Sequence, residues 1–155
     1  MSNDMNDIQF EESFYRRLVD DINKITDIRS KVITLHLYLE FLIDNFINAF
    51  FVNPREILEN FSFYNKFRII EAIGFDENLC KNIKKINSFR NQFAHELDLS
   101  KIKLDFSNVY MKEPEVFSKF NDLNKIQVLT VETILEMNNQ FYKFLKWRGE
   151  VFKKV

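Results

Sequence analysis

Three polar side chains of types that act on phosphate esters lie within six positions of the stretch "NSFRNQFAHELD", residues 87 to 98. They are Arg90, Asn91 and His95, and His95 is one of only two histidines in the chain. An imidazole titrates near neutral pH and can transfer a proton, while a guanidinium binds phosphate oxygens in a two-pronged manner. Two interpretations stay open: the three residues belong to an active site, or they are ordinary polar residues on a solvent-exposed stretch of helix.

The residues around this motif separate into two faces when they are placed on a helix at about 100° per residue. The apolar face contains Leu79, Ile83, Ile86, Phe93, Ala94 and Leu97, and the other face carries a polar stripe of Lys84, Ser88, Asn91 and His95. Arg90 falls on the apolar face. A guanidinium cannot lose its proton there and is costly to bury alone, so it needs a carboxylate, a phosphate or a route to the surface.

The second predicted helix offers partners for Arg90. His36, Glu40 and Asp44 are spaced four residues apart and so lie along one edge of that helix. Glu40 is the predicted partner of Arg90, which would bring both histidines near one helix contact. The simpler interpretations are that Arg90 belongs to a structural ion pair and that His36 is a hydrogen-bonded core or interface histidine.

The angle between Arg90 and His95 around the helix axis gives a reason to expect a homodimer. Arg90 and His95 lie about 140° apart on an ideal helix, so one straight helix does not aim both at one phosphate. Two helices related by a twofold axis could build a composite site from both copies. The second helix, whose apolar residues form more than one stripe, is expected either to be central in the bundle or to be shared with a second subunit, and a twofold interface would cover its excess apolar surface.

No cofactor and no metal are expected. His36 and His95 are the only imidazoles, and the single Cys80 has no second ligand at a suitable spacing. The two glycines, Gly74 and Gly149, cannot build a phosphate-binding loop. Cys80 is expected to be a small buried residue.

Composition indicates a single globular domain over residues 1–155, with residues 1–9 expected to be disordered. The 22 Lys and Arg residues balance 23 Asp and Glu residues, so no broad positive field exists and any contact with RNA or DNA must be local. No apolar run approaches the roughly 20 residues of a membrane span, and none resembles a secretory signal. We therefore expect a cytoplasmic protein without membrane contact.

Helical spacing of apolar residues dominates the chain. Predicted helices cover 10–26, 28–52, 54–59, a segment that Ser62 caps and Gly74 ends, a segment that Asp76 caps and that ends near Glu96, and a final helix from 114 to 147. Between the last two, Ile102, Leu104 and Phe106 alternate with polar residues as in a short strand. The predicted fold is an all-α bundle with two long helices, shorter helices between them, and an extended or hairpin arm at 101–113.

The pattern Arg90-Asn91-x-x-x-His95 resembles the Arg-Asn-(x)3-His signature of HEPN domains, small all-α bundles named for higher eukaryotes and prokaryotes nucleotide-binding. A closer resemblance covers residues 10 to 98, above all "VITLHLYLEFLIDNFINAFF", "FSFYNKFRIIEAIGF" and "INSFRNQFAHELD". These stretches are similar to the HEPN branch that contains the mannitol operon repressor family. Members of this branch share a long helix with a carboxylate, a short "F-S-x-x-x-K" helix and then the Arg-Asn helix.

This resemblance implies two alternative functions. Catalytic HEPN proteins are metal-independent endoribonucleases, often toxins or antiviral effectors, which build their site across a dimer. By this resemblance, His95 acts on the ribose 2′-hydroxyl or the leaving oxygen, Arg90 stabilises the phosphate and Asn91 positions one of them. Single-stranded RNA would be the substrate and an antitoxin a possible partner, although position 97 is Leu where antitoxin-modified members carry tyrosine. Mannitol-repressor-like relatives instead act as regulators or adaptors through protein contacts.

Overall fold

The computed structural model describes the backbone of residues 3–152 and the side chains of residues 12–150. Helices account for most of this part of the chain, which contains no strand. The seven helices are α1 (Asn3–Lys24), α2 (Ile28–Phe50), α3 (Arg55–Asn60), α4 (Phe63–Ile73), α5 (Glu77–His95), α6 (Pro114–Ser118) and α7 (Asp122–Phe152). The prediction of an all-α bundle is confirmed.

Local sequence signals place most helix ends. The side chains of Asp27, Ser62 and Asp76 each accept a hydrogen bond from a backbone N–H in the first turn of the helix that follows. Gly74 ends α4 with a φ of 103°, a left-handed conformation that glycine adopts without steric cost. The predicted roles of Ser62, Gly74 and Asp76 are therefore confirmed.

The core lies where α2, α5 and α7 pack against one another. Helices α1, α3 and α4 pack on α2, which makes α2 the central element of the bundle. The side chains from these three central helices with less than 2% exposure include Leu35, Leu39, Ile43, Ile47, Ile83, Phe89, Leu129, Ile134 and Met137. Cys80 is also buried, as expected, and burial raises the pKa of its thiol to about 11. Within residues 3–152, no helix is long and apolar enough to cross a membrane.

The first helix is longer than the sequence predicts. It begins at Asn3 rather than at Phe10, so the segment 3–9, which was expected to be disordered, is helical. The rest of the stretch 1–9 lies outside the described residues. No glycine or proline occurs in this stretch to stop a helix.

The final helix is interrupted, so the prediction of one continuous helix from 114 to 147 is wrong. Helix α6 ends at Ser118 and α7 begins at Asp122. Asn121 explains the interruption, because its side chain accepts a hydrogen bond from the N–H of Asn124 at 2.9 Å and its carbonyl accepts one from Lys125. An asparagine that caps a new helix in this way competes with continuation of the previous one.

The predicted arm at 101–113 forms neither a strand nor a hairpin in the described part of the chain. It starts at the end of a 3-10 helix (Leu99–Lys101) and continues without regular secondary structure, with a turn at 107–108 where Asn108 has a φ of 61°. Its alternating apolar residues are partly buried against the core, which is why the spacing resembles that of a strand. The side-chain amide of Asn82 holds the arm at both backbone groups of Tyr110, donating to the carbonyl and accepting from the N–H at 2.8 Å each. Lys85 also contacts Asp105 at 3.2 Å. The arm thus runs back along α5 towards its N-terminal half.

Candidate active site

Helix α5 presents the motif at its C-terminal end. Ile86, Phe89 and Phe93 are each no more than 2% exposed and fix the rotation of the helix against the core. The predicted polar stripe is exposed along its whole length, as its four members Lys84, Ser88, Asn91 and His95 show. Ala94 and Leu97 were expected on the apolar face, but both are exposed; Leu97 lies beyond the end of the helix and is 86% exposed.

Arg29, which the sequence analysis did not single out, holds the end of α5. Its Nη2 donates to the carbonyl of Glu96 at 2.6 Å and to that of Leu97 at 3.1 Å. A cation at this position satisfies carbonyls that the helix leaves unpaired and interacts favourably with the helix dipole. His95, the last residue of α5, therefore stands on a turn anchored to the start of α2.

Arg90 does not pair with Glu40, so that prediction is wrong. Nη1 of Arg90 donates to Oδ1 of Asn91 at 3.1 Å, and no described carboxylate lies within ion-pair distance of the guanidinium. Glu40 also forms no ion pair among the described side chains. A helical wheel gives the angle of a side chain but not how far along the partner helix it lies, and the charge of Arg90 acts instead on His36, one turn before Glu40. Arg90 lies partly exposed at the edge of the buried face.

His36 is a buried, hydrogen-bonded histidine in the contact between α2 and α5. It is 3% exposed, and its ring centroid lies 4.2 Å from that of Phe63 on α4. Its Nε2 lies 3.1 Å from Oδ1 of Asn87, which can only accept, so the imidazole donates this bond. Burial lowers the pKa of His36 to about 4, the Asn87 bond opposes this shift, and the nearby charge of Arg90 adds to it. His36 is therefore neutral at pH 7.

Asp44 belongs to a different contact, between α2 and α4. Its Oδ1 lies 2.8 Å from Nζ of Lys66, whose side chain is only 6% exposed. Lys66 is the lysine of the "FSFYNK" stretch, so this ion pair joins two of the segments that carry the family resemblance. Asp44 supports the bundle and does not reach the motif.

Lys84 is likewise engaged away from the motif. Its Nζ lies 2.6 Å from Oε1 of Glu71 on α4 and 5.6 Å from the centre of the Phe67 ring. Lys84 and Ser88 also line a groove between α4 and α5, with a volume of about 330 Å³. We call this the α4–α5 groove; Phe63, Tyr64, Phe67, Lys84, Asn87 and Asn91 line most of it.

A larger groove of about 790 Å³ lies between α7 and the start of α5. Tyr110 and Trp147 line this groove, and Glu132 and Glu136 add carboxylates to its lining. Neither histidine and no motif residue lines it. The volume of a groove does not by itself identify an active site. The smaller α4–α5 groove is the better candidate, because Asn91 of the motif lines it.

The structure thus brings together only part of the predicted set. Arg90 bonds to Asn91 and lies near His36, and His36 bonds to Asn87. Asn87 was not among the predicted site residues. Its spacing of four residues from Asn91, which places both amides on one helix face, is the sequence feature that could have identified it. His95 lies at the exposed end of the same helix. Glu40 and Asp44 lie on α2, and Lys84 lies nearer the start of α5; none of the three forms a hydrogen bond or ion pair with Arg90, Asn91 or His95 among the described residues.

The described side chains contain no cluster of three or more His, Cys, Asp or Glu residues that could hold a metal ion. Comparison of the chain with protein-family models, curated proteins and solved structures gives no match.

Proposed function

We propose that this chain is a metal-independent endoribonuclease of the HEPN type that acts as a homodimer on single-stranded RNA. The main support for this proposal is the environment of the Arg90 side chain. Its guanidinium is partly exposed, contacts Asn91 and has no carboxylate partner among the described residues. A structural ion pair would have neutralised this charge. An arginine left without a carboxylate is available to bind an RNA phosphate in a two-pronged manner.

The three motif side chains can divide the work of RNA cleavage. The ribose 2′-hydroxyl serves as the internal nucleophile, so the reaction needs no metal-bound water. His95 transfers a proton to or from the 2′-hydroxyl or the leaving 5′-oxygen. Arg90 stabilises the negative charge of the phosphate, and Asn91 orients Arg90 through their hydrogen bond. This reaction leaves a 2′,3′-cyclic phosphate and a 5′-hydroxyl.

Two subunits are needed to assemble these groups around one phosphate. Arg90 lies at the edge of the buried face of α5, whereas His95 lies about 140° further round the helix. A twofold axis can place Arg90 of one subunit near His95 of the partner subunit. Leu37 and Phe41, which lie on α2 beside α1, are 56% and 48% exposed, and a partner that packs against α1 and α2 would cover them.

The proposed setting is a toxin, phage-defence or stress response in the cytoplasm. An RNase that acts on cellular RNA must be held in check, so an antitoxin or another regulatory protein is the expected partner. The chain has a net charge of -1, so substrate contact depends on local groups such as Arg90 rather than on a general positive surface.

An assay with purified protein and total RNA in EDTA tests the activity. We expect cleavage that EDTA does not inhibit, and a loss of about 100-fold or more in His95→Ala and in Arg90→Ala. Glu40→Gln is the matched control, since Glu40 does not contact Arg90, and it should keep full activity. Absence of cleavage by the wild type, or equal cleavage by His95→Ala, would overturn the proposal.

Mixing two inactive variants tests the composite site. A heterodimer of Arg90→Ala and His95→Ala subunits retains one site with an intact arginine from one subunit and an intact histidine from the other. We therefore expect the mixture to regain part of the activity that each variant lacks alone. A mixture that stays inactive although heterodimers form would argue that each site lies within one subunit.

A non-catalytic regulator or adaptor is the second candidate. The exposed apolar side chains of Leu37 and Phe41 favour it, because they suit protein contacts whether or not RNA is cleaved. A dimer that leaves RNA intact in the EDTA assay would support this function. Genomic neighbourhood adds a second criterion, since a sugar-transport operon favours regulation and a defence island favours the nuclease. A monomeric mass in solution would count against both candidates.

A further inference from the structure

The α4–α5 groove offers an aromatic platform beside the motif. Tyr64 is 51% exposed, and its ring centre lies 6.5 Å from that of Phe67 at an angle of 47°. Phe67 is buried beside Tyr64, whereas Tyr64 is half exposed and lines the groove. An exposed aromatic ring at a groove suits the stacking of a nucleic-acid base.

Two amides in the groove have a defined orientation. Oδ1 of Asn87 accepts from Nε2 of His36, and Oδ1 of Asn91 accepts from Nη1 of Arg90. Each of these oxygens uses one of its two lone pairs in this way, and both Nδ2 groups remain available as hydrogen-bond donors on residues that line the groove. Such donors match the carbonyl oxygens of uracil, whereas cytosine presents an exocyclic amine at the corresponding position.

Charge contributes less to this groove than its lysine suggests. Nζ of Lys84 is held by Glu71 at 2.6 Å, so the positive charge is already compensated. A ligand that relied on phosphate attraction would gain little from this lysine. Contacts to a base are therefore the main source of affinity that the groove can offer.

We propose that the α4–α5 groove binds a base of single-stranded RNA, stacked on Tyr64 and facing the amide donors of Asn87 and Asn91, with uracil favoured over cytosine. This inference rests on the proposed function in one respect, because the base belongs to the strand whose phosphate meets Arg90. Asn91 links the two subsites, since it lines the groove and also contacts Arg90. The groove then selects which nucleotide lies next to the phosphate.

Binding is measured with the His95→Ala protein, so that cleavage cannot consume the probe. Fluorescence anisotropy at one fixed salt concentration gives the Kd for three labelled probes: hexauridylate, hexacytidylate and an abasic ribose-phosphate hexamer. We expect hexauridylate to bind several-fold more tightly than hexacytidylate and about tenfold more tightly than the abasic strand. An abasic strand that binds as tightly as hexauridylate would overturn base recognition, and so would the absence of any RNA binding. Preference for hexacytidylate would overturn the role of the amide donors.

Two tyrosine variants, each added to the His95→Ala protein, locate the base. Tyr64→Ala should weaken hexauridylate binding about tenfold and leave abasic binding unchanged, while Tyr64→Phe, which retains an aromatic ring, should bind hexauridylate with nearly the Kd of the His95→Ala parent. Tyr110→Ala is the matched control, because Tyr110 is equally exposed at 54% but lies on the arm. Equal effects of Tyr64→Ala and Tyr110→Ala would contradict a stacking role for Tyr64.

The outcome for the base subsite is separable from that for the nuclease. If hexauridylate binding depends on Tyr64 but protein with His95 intact does not cleave RNA, the base subsite stands and the nuclease proposal fails. If RNA is cleaved but Tyr64→Ala changes neither binding nor the cleavage positions, the nuclease stands and the base subsite fails.

Discussion

The imidazole of His36 donates a hydrogen bond from Nε2 to Oδ1 of Asn87 at 3.1 Å, and this bond joins the middle of α2 to α5 just before the motif begins. This bond uses one of the two lone pairs of the acceptor oxygen, and the Nδ2 group of Asn87 stays available as a donor for other contacts. Burial keeps His36 neutral, which is also the state that avoids placing a second positive charge near Arg90. This contact couples the protonation of a buried residue to the position of the candidate site.

Protonation of His36 should make the fold less stable in mild acid. Its pKa is about 4 in the folded chain and 6.5 in the unfolded chain, so the unfolded state binds the proton first as the pH falls. Its contribution to stability is present above about pH 6.5 and is lost progressively towards pH 4. From pH 7 to pH 5 the loss should be about 2 kcal/mol in the free energy of unfolding measured with urea.

His36→Gln removes the titrating group while keeping a hydrogen-bond donor, and it should flatten this pH dependence. The exposed histidine provides the control: His95→Ala should retain the pH dependence of the wild type. A pH dependence that survives in His36→Gln would show that another group is responsible.

Removal of Asp44 should destabilise the protein more than removal of Lys66, although the two side chains form one ion pair. Asp44→Ala leaves Lys66, whose side chain is 6% exposed, without its carboxylate partner, so we expect a loss of about 2 kcal/mol in the free energy of unfolding. Lys66→Met removes the more deeply buried charge and leaves Asp44, whose side chain is 36% exposed although its Oδ1 is buried, so it should cost less. Glu59→Ala, which breaks the exposed pair with Arg55, serves as the control and should change stability by less than about 0.5 kcal/mol. Equal effects at Asp44 and Glu59 would contradict the argument from burial.

Loss of the Asn82 side chain should release the arm. Asn82→Ala removes both hydrogen bonds to the backbone of Tyr110, and we expect a destabilisation of about 2 kcal/mol. Hydrogen exchange at the Tyr110 amide should accelerate, and protease sites within 102–111 should become accessible. Asn82→Asp keeps the acceptor but loses the donor, so its effect should be intermediate. An unchanged exchange rate at Tyr110 in Asn82→Ala would refute this anchoring role.

Arg29→Ala should loosen the last turn of α5. Removing the guanidinium leaves the carbonyls of Glu96 and Leu97 without this donor and removes a cation from the negative end of the helix dipole, at a cost of about 1 kcal/mol. Amide exchange at Glu96, whose N–H bonds to the carbonyl of Gln92, should speed up. Arg16→Ala, in an exposed pair on α1, is the control and should leave that amide unchanged.

Much of the fold follows from local sequence, because helix ends depend on near neighbours. Ser62, Gly74 and Asp76 place three boundaries through caps that involve only the next few residues. The interruption between α6 and α7 was missed because the apolar spacing continues across it, and only the capping bonds of Asn121 show the break.

The sequence by itself determined the exposed stripe that contains Asn91 and His95, since helical periodicity decides which side chains share a face. Tertiary structure alone decided the partners across helices. The sequence pattern predicts Glu40 as the partner of Arg90, but the packing of α2 against α5 sets the axial offset between the helices and places Arg90 near His36 instead. It also decided that the arm lies along α5, because the bonds between Asn82 and Tyr110 join residues 28 positions apart.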